Sequence, residues 1–170
     1  MMKSVPTKTT YLEMLAPMEQ VVAPPADGVE VILMEKPEIE FYRTLYDSVG
    51  RDWHWVERRQ LADDELSGII HHDLVEFYVL YVGGEPAGFC EVDCRVENQV
   101  QLMYFGLVPE FIGQGLGKYF LNSIVHKAWA KEPARVWLHT CNLDHEAALP
   151  NYLKGGFVVF DEKTIDHDVV

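Results

Sequence analysis

The chain has 170 residues, of which 48% are hydrophobic and 12% aromatic, so it can bury a core as one globular domain. Its formal net charge of −13 lacks the basic footprint that a nucleic-acid partner requires, and it mildly favours a cationic substrate. The three cysteines have neither disulfide-framework nor metal spacing, so we expect a reduced, cytoplasmic protein without a metal.

Residues 1–28 are predicted to be a peripheral extension and linker, ahead of one domain over residues 29–170. Their start lacks the apolar core of a signal peptide, and no apolar run in the chain reaches the roughly 18 residues that span a bilayer. We therefore expect no membrane partner. The stretch "TYLEML" is compatible with a short strand, whereas "APMEQVVAPPADG" carries three prolines and an Asp-Gly pair, which is typical of a linker.

The rest of the chain alternates between the patterns of strands and helices. In order, the predicted elements are a strand over 29–36, a helix from Pro37, a helix over 55–70, a hairpin over 74–96, a strand over 98–108, a helix over 115–130, a strand over 135–141, a short helix over 144–156 and a strand over 157–163. Gly83-Gly84 marks the hairpin turn. This order predicts an α/β domain with a mixed sheet, in which a βαβ crossover follows the hairpin.

Three glycines, Gly113, Gly115 and Gly117, lie where a predicted strand meets a predicted helix. A helix N-terminus has unpaired N–H groups and a partial positive charge, and glycine lets a phosphate approach the backbone closely. The stretch is therefore a candidate pyrophosphate cradle, with a plain tight turn as the alternative. It fits neither the dinucleotide-binding fingerprint nor the P-loop, whose lysine precedes Ser or Thr, because Lys118 is followed by Tyr119.

The stretch "LVPEFIGQGLG" resembles the coenzyme A loop of the GCN5-related N-acetyltransferases, abbreviated GNAT. The family signature is Arg/Gln-x-x-Gly-x-Gly/Ala, after a strand that ends in a small apolar-x-Pro segment. Gly115 and Gly117 match its glycines, and Pro109 matches its proline. Ile112 occupies the Arg/Gln position, which is a departure.

A second segment, "AALPNYLKGGF", resembles the later Ala-x-x-x-Tyr-x-x-x-Gly-Phe motif of the same family. The residues in register are Ala148, Tyr152, Gly156 and Phe157. His145 stands where the family often has Asn, and Pro150 is expected to loosen the turn before Tyr152. Two motifs at the right separation are more specific than either alone.

The resemblance implies a mixed, mostly antiparallel central sheet with helices on both faces and a βαβ crossover that binds coenzyme A. It implies transfer of an acetyl group from acetyl-CoA to a primary amine, by direct attack in a ternary complex. The strand before the cradle should splay from its neighbour and expose Leu107 and Val108 to the pantetheine arm, with the Leu107 N–H as donor to the thioester carbonyl. The other expected coenzyme contacts are Ile112, Gly113, Gln114, Gly115, Leu116, Gly117, Lys118 and His145.

Tyr152 falls at the general-acid position of the family, and a phenol with a pKa near 10 stays protonated at neutral pH and can donate. Many relatives carry the general base as Glu where this chain has Gln101, which cannot accept a proton usefully. We predict that Glu91 acts as the base through a water chain. Asp93 and His139 stay open as alternatives.

The acceptor is expected at "GRDWHWVERR", between the first two helices. Trp53 and Trp55 suit a cationic group and Arg58 and Arg59 suit a carboxylate, although the tryptophans equally suit a loop anchor. We expect the acceptor to be a small-molecule or peptide amine. A homodimer, a catalytically degenerate acyl-CoA sensor and a nucleotide-phosphate binder all stay open.

Overall fold

A seven-stranded sheet forms the centre of the computed structural model, which describes residues 3–169. In chain order, the elements are β1 (Lys3–Met14), β2 (Val29–Leu33), α1 (Ile39–Gly50), α2 (Asp63–Ile70), β3 (Val75–Val82), β4 (Glu85–Asp93), β5 (Gln99–Leu107), α3 (Leu116–Trp129), β6 (Arg135–Cys141), α4 (Ala148–Lys154) and β7 (Val158–Val169). The strand order is β2-β3-β4-β5-β6-β1-β7, and within the described residues only β5 and β6 pair in parallel. The predicted mixed, mostly antiparallel sheet and its β5-α3-β6 crossover are confirmed.

Helices cover both faces of the sheet, as predicted. Alternate residues of a strand point to opposite faces, so Phe77 and Val79 of β3 pack with Tyr42 of α1, whereas Tyr78 and Leu80 join the cluster around α3. The two clusters are separate cores, one on each face. None of the helices among residues 3–169 is long and apolar enough to cross a membrane.

The N-terminal strand differs from its prediction. β1 lies between β6 and β7 and pairs along its length with β7 and, over Thr9 to Met14, with β6. The prediction of a peripheral segment is therefore wrong for Lys3–Met14, and the fold is not confined to residues 29–170. The sequence analysis did not predict a buried strand here because the segment is polar. Thr7 and Thr10 are buried in the structure, and their β-branched side chains suit a covered strand.

The second helix begins at Asp63 and not at Trp55, so the prediction over 55–70 is wrong for its first half. The Glu65 side chain accepts the Ala62 N–H at 2.9 Å and fixes the start of α2. Before it, the Arg43 guanidinium donates to the carbonyls of Arg58 and Leu61 at 3.2 and 2.8 Å. These bonds hold the preceding segment in turns.

The strands β5 and β6 separate soon after they begin to pair. Their register runs from Gln99 and Arg135 to Gln101 and Trp137, and there it stops. On its other side β5 stays paired with β4 as far as Leu107. The described part of the sheet thus opens between β5 and β6, which confirms the predicted splay and leaves one edge of β5 free.

Candidate active site

A cavity of about 970 Å³ occupies the opening between β5 and β6. This volume lies within the range of about 300–1,000 Å³ that is usual for small-molecule sites. Its walls include Phe105 and Tyr152 on the α3 face and Tyr104 and Trp55 on the α1 face. The cavity therefore connects the two faces of the sheet through the splay.

The glycine loop forms one end of this cavity. Gly113 and Gly115 have φ of 85° and 79°, in the left-handed region that favours glycine. A Cβ on Gly113 would meet nothing within 4 Å, and one on Gly115 would meet only Pro25, at 3.8 Å. Gly115 is the N-cap of α3 and has no side chain that could cap the first N–H groups of this 14-residue helix, and Gly115, Gly117 and Lys118 line the cavity at this helix start. This arrangement fits a pyrophosphate.

The predicted loop residues divide into two groups. Those that line the cavity are Ile112, Gly113, Gly115, Gly117 and Lys118. The side chains of Gln114 and Leu116 do not, because Gln114 donates to the Glu110 carbonyl at 3.1 Å and Leu116 is buried in the α3 core. For these two residues only the backbone is available to a coenzyme.

The free edge of β5 presents the N–H of Leu107. Val108 N–H donates to the Ala87 carbonyl at 2.8 Å, while Leu107 faces Gly88 in the register. Antiparallel pairing alternates, so Leu107 is in a non-hydrogen-bonded pair and its N–H points away from β4 into the opening. The structure does not bring Val108 to the cavity: its N–H is taken and its side chain packs on the α1 core.

Tyr152 lines the cavity from α4. Its ring packs against Phe105 and Phe157, with centroid distances of 6.0 and 6.2 Å, and the side chain is 6% exposed. Burial raises the pKa of Tyr152 well above its ordinary value of 10, so the phenol stays protonated at neutral pH. Pro150 does not disturb α4, since it falls in the first turn, where a missing N–H costs no helix bond.

Glu91, the predicted base, is buried and engaged. Its carboxylate accepts from the Tyr42 hydroxyl at 2.6 Å and pairs with Arg58 Nη2 at 2.6 Å. Glu91 is 1% exposed and does not line the cavity, although Arg58 does. The prediction of Glu91 as the base is therefore not supported, because its lone pairs serve as the counter-charge of Arg58.

Of the two alternative bases, His139 lines the cavity and Asp93 does not. Asp93 pairs with Arg95 at 2.8 Å; desolvation opposes ionisation, but the bonds from Arg95 outweigh it and lower the pKa of Asp93. His139 lies two residues beyond the last β5–β6 pair, beside the ring of Tyr11 at 5.6 Å.

The His139 side chain is exposed and lines the cavity, with the rings of Tyr11 and Trp137 beside it at centroid distances of 5.6 and 6.4 Å. Desolvation by its protein neighbours lowers the pKa of His139, and it outweighs the opposite effect of Asp144 and Glu57. The nearby His167 also lowers it. A pKa below 6.5 leaves the imidazole neutral at neutral pH, so one ring nitrogen can accept a proton.

Comparison with known proteins agrees with this geometry. The sequence profile described as "Acetyltransferase (GNAT) family" matches residues 39–157, a stretch that contains both motifs and the strands β3 to β6. The chain belongs to the GNAT family. No curated protein matches it in sequence.

Solved structures reproduce the GNAT fold at low identity. A GNAT-family protein from Novosphingobium aromaticivorans gives a TM-score of 0.66 at 15% identity, over 98% of this chain and 66% of that one. A GNAT acetyltransferase from Elizabethkingia anophelis with acetyl-CoA bound gives 0.61 at 17% identity, over 80% of each chain. An IAA acetyltransferase from Bacillus cereus gives 0.61 at 19% identity, over 78% and 79%. This chain spans only 52%, 64% and 66% of three of the solved structures that it matches.

In this GNAT protein the two predicted acceptor residues both line the cavity and serve different structural roles. The Trp55 indole N–H donates to Asp144 at 3.2 Å, and its ring packs against Tyr104 with centroids 5.1 Å apart. Trp53 packs edge-on against His145 at 5.1 Å. His145 also lines the cavity, and its Nδ1 accepts the Ala147 N–H at 2.9 Å, which fixes the ring.

The sequence prediction missed an acidic residue in this half of the GNAT cavity. Glu57 lines the cavity, with one oxygen 3.5 Å from the Tyr104 hydroxyl and the other 3.8 Å from Nδ1 of His167. Glu57 lies within the segment predicted to bind the acceptor, so its carboxylate could have been predicted as part of the site. His167 could not have been, because β7 extends beyond its predicted end. Arg59 pairs with Asp47 outside this cavity.

Among residues 3–169, no group of three or more His, Cys, Asp or Glu side chains has an arrangement that could hold a metal ion.

Proposed function

We propose that this protein is an N-acetyltransferase that transfers the acetyl group of acetyl-CoA to a primary amine by direct attack in a ternary complex. One observation carries the proposal: a single cavity contains the glycine cradle, the Leu107 edge and the Tyr152 phenol. The GNAT relative with acetyl-CoA bound supports the choice of acyl donor.

Each group then has a role in one balanced step. The N–H groups at the start of α3 bind the pyrophosphate, and the Leu107 N–H stabilises negative charge on the thioester oxygen. The amine nitrogen forms a bond to the carbonyl carbon as the carbon–sulfur bond breaks. Tyr152 donates its proton to the leaving sulfur, and the proton of the amine passes to His139. No step requires a metal.

His139 replaces Glu91 as our proposed base. An alkylamine with a pKa near 10 is mostly protonated at neutral pH, so a neutral acceptor of its proton is needed. His139 lines the cavity on the β6 side of the splay, whereas Glu91 is held by Tyr42 and Arg58.

The acceptor is proposed to be a neutral or cationic amine. Glu57 supplies a carboxylate, and Trp53, Trp55 and Tyr104 supply aromatic walls that suit a cation. The net charge of −13 acts in the same direction by attracting cations to the surface.

The second candidate is an acyl-CoA sensor without turnover, which Ile112 and Gln101 favour because both depart from the family pattern. An amine library incubated with acetyl-CoA and a thiol reagent separates the two functions. We expect amine-dependent release of coenzyme A. Tight binding of acetyl-CoA without release for any amine would favour the sensor and overturn the enzyme.

A further inference from the structure

Residues 15–28, which we name the strap, contain no helix or strand yet follow a fixed path across α3. The Asn122 side chain fixes that path with both ends of its amide. Its Oδ1 accepts the Val22 N–H at 2.9 Å, and its Nδ2 donates to the Gln20 carbonyl at 2.9 Å. His126 adds a third bond, from Nε2 to the same carbonyl at 2.8 Å.

The strap lies against the coenzyme half of the cavity. Met18, Gln20 and Val22 line the cavity together with Asn122. Further along, Pro25 is the neighbour that a Cβ on Gly115 would meet, at 3.8 Å. The strap therefore passes from the second turn of α3 to the cradle and flanks the route of the pyrophosphate.

Asn122 is an unusual residue for its position. It is 5% exposed on the buried side of α3, next to Leu121 and one turn from Val125. A buried amide is costly unless its hydrogen bonds are made, and here the strap backbone makes them. The Asn122 Nδ2 also donates to the Met18 Sδ at 3.5 Å, but the two shorter bonds go to main-chain atoms, so Asn122 holds the strap chiefly by its backbone.

We infer that the strap is a wall of the acetyl-CoA site and that Asn122 is the positioning residue that holds it there. This inference rests on the proposed function. With Asn122 in place, the strap is already ordered beside the cradle, so little of the free energy of coenzyme binding is spent on ordering it. Without Asn122, the strap must be ordered when the coenzyme binds, and the affinity for the coenzyme is lower.

The first test compares Asn122→Ala with Ser123→Ala, a neighbour on the same helix that does not line the cavity. Two hydrogen bonds lost correspond to roughly a tenfold rise in the acetyl-CoA Kd, measured by calorimetry. The KM for acetyl-CoA should rise similarly, while the KM for the amine and the behaviour of Ser123→Ala stay unchanged. An unchanged Kd in folded Asn122→Ala would overturn the inference.

The second test reads the strap directly. Glu19 is exposed within it, so a Glu-specific protease reports how often the strap opens. We expect acetyl-CoA to slow cleavage after Glu19 in the native chain, and Asn122→Ala to speed it without ligand. Cleavage that is indifferent to bound acetyl-CoA would contradict a strap that walls the site.

A third variant guards against a folding defect. His126→Ala removes one bond at the half-exposed edge of α3 and should give the same changes at about a few-fold. If Asn122→Ala fails to fold and His126→Ala leaves the Kd and the cleavage unchanged, the inference is wrong. A native chain that does not bind acetyl-CoA would overturn the proposed function itself, so the two failures are distinguishable.

Discussion

The effect of a Gly115 substitution on coenzyme binding can be measured separately from its effect on backbone strain, because Gly84 in the β3–β4 hairpin has a matching conformation. Gly115 and Gly84 have φ of 79° and 82°, and a Cβ would have ample room at both. An alanine in the left-handed region costs about 1–2 kcal/mol at either position. The two variants Gly115→Ala and Gly84→Ala should therefore lose similar stability.

Their affinities for acetyl-CoA should differ strongly. Gly115 lines the cavity and caps α3, so its new methyl group occupies the space that the pyrophosphate needs. Loss of one hydrogen bond to a charged group corresponds to about 1.5–3 kcal/mol, or roughly 10- to 150-fold in Kd. Gly84 lies in the β3–β4 turn, outside the cavity, and its variant should bind as the native chain does.

The assay is calorimetric titration with acetyl-CoA, paired with thermal unfolding of each variant. Equal stability loss with a selective loss of binding in Gly115→Ala is the expected result. The cradle assignment is wrong if Gly115→Ala binds acetyl-CoA with native affinity, or if Gly84→Ala loses as much affinity.

Three further predictions concern the acceptor half. The kcat/KM of the native chain should fall on acidification below pH 6.5, because His139 must be neutral to accept a proton and its pKa is lowered. The kcat/KM of His139→Gln should not show this fall at acidic pH, and an identical fall in the variant would exclude His139 as the base. Glu91→Gln leaves the Arg58 charge without its partner and should lower the free energy of unfolding, measured by denaturant titration, by about 3–5 kcal/mol, while kcat stays within a few-fold of the native value. A fall in kcat of about 10²-fold or more would instead support Glu91 as the base. Trp55→Ala should mainly lower the melting temperature, since Trp55 packs into the core, whereas Trp53→Ala should mainly raise the amine KM; the reverse pattern would mean that Trp53 is the anchor.

The sequence predicted the structure best where a backbone conformation requires a particular residue type, such as glycine in a tight turn. Gly83-Gly84 forms the turn between β3 and β4, the three loop glycines lie at the start of α3, and Tyr152 lies on α4; each of these positions depends on residues close together in the chain. The splay between β5 and β6 was accessible only through the family resemblance, because no local pattern states where two distant strands stop pairing.

The misses share a long-range cause. Glu91 has the alternation of a strand carboxylate, but its role depends on Arg58, 33 residues away in sequence. β1 has the polar composition of an extension, and only its two partner strands, more than 100 residues later, give its threonines a covered environment. The strap likewise has the composition of a linker, and Asn122 gives it a defined path.

The most direct test of the account is the chemistry of Tyr152→Phe. The substitution removes one hydroxyl and keeps the ring between Phe105 and Phe157, so folding and the acetyl-CoA Kd should barely change. General acid catalysis is typically worth about 10²–10⁴-fold, and a thiol with a pKa near 8.5 is a fairly good leaving group, so we expect kcat to fall about 10²-fold. Steady-state release of coenzyme A with a confirmed amine measures this directly. A kcat about 10²-fold lower at unchanged acetyl-CoA KM is the predicted result, and full activity would contradict the assignment of Tyr152 as the acid.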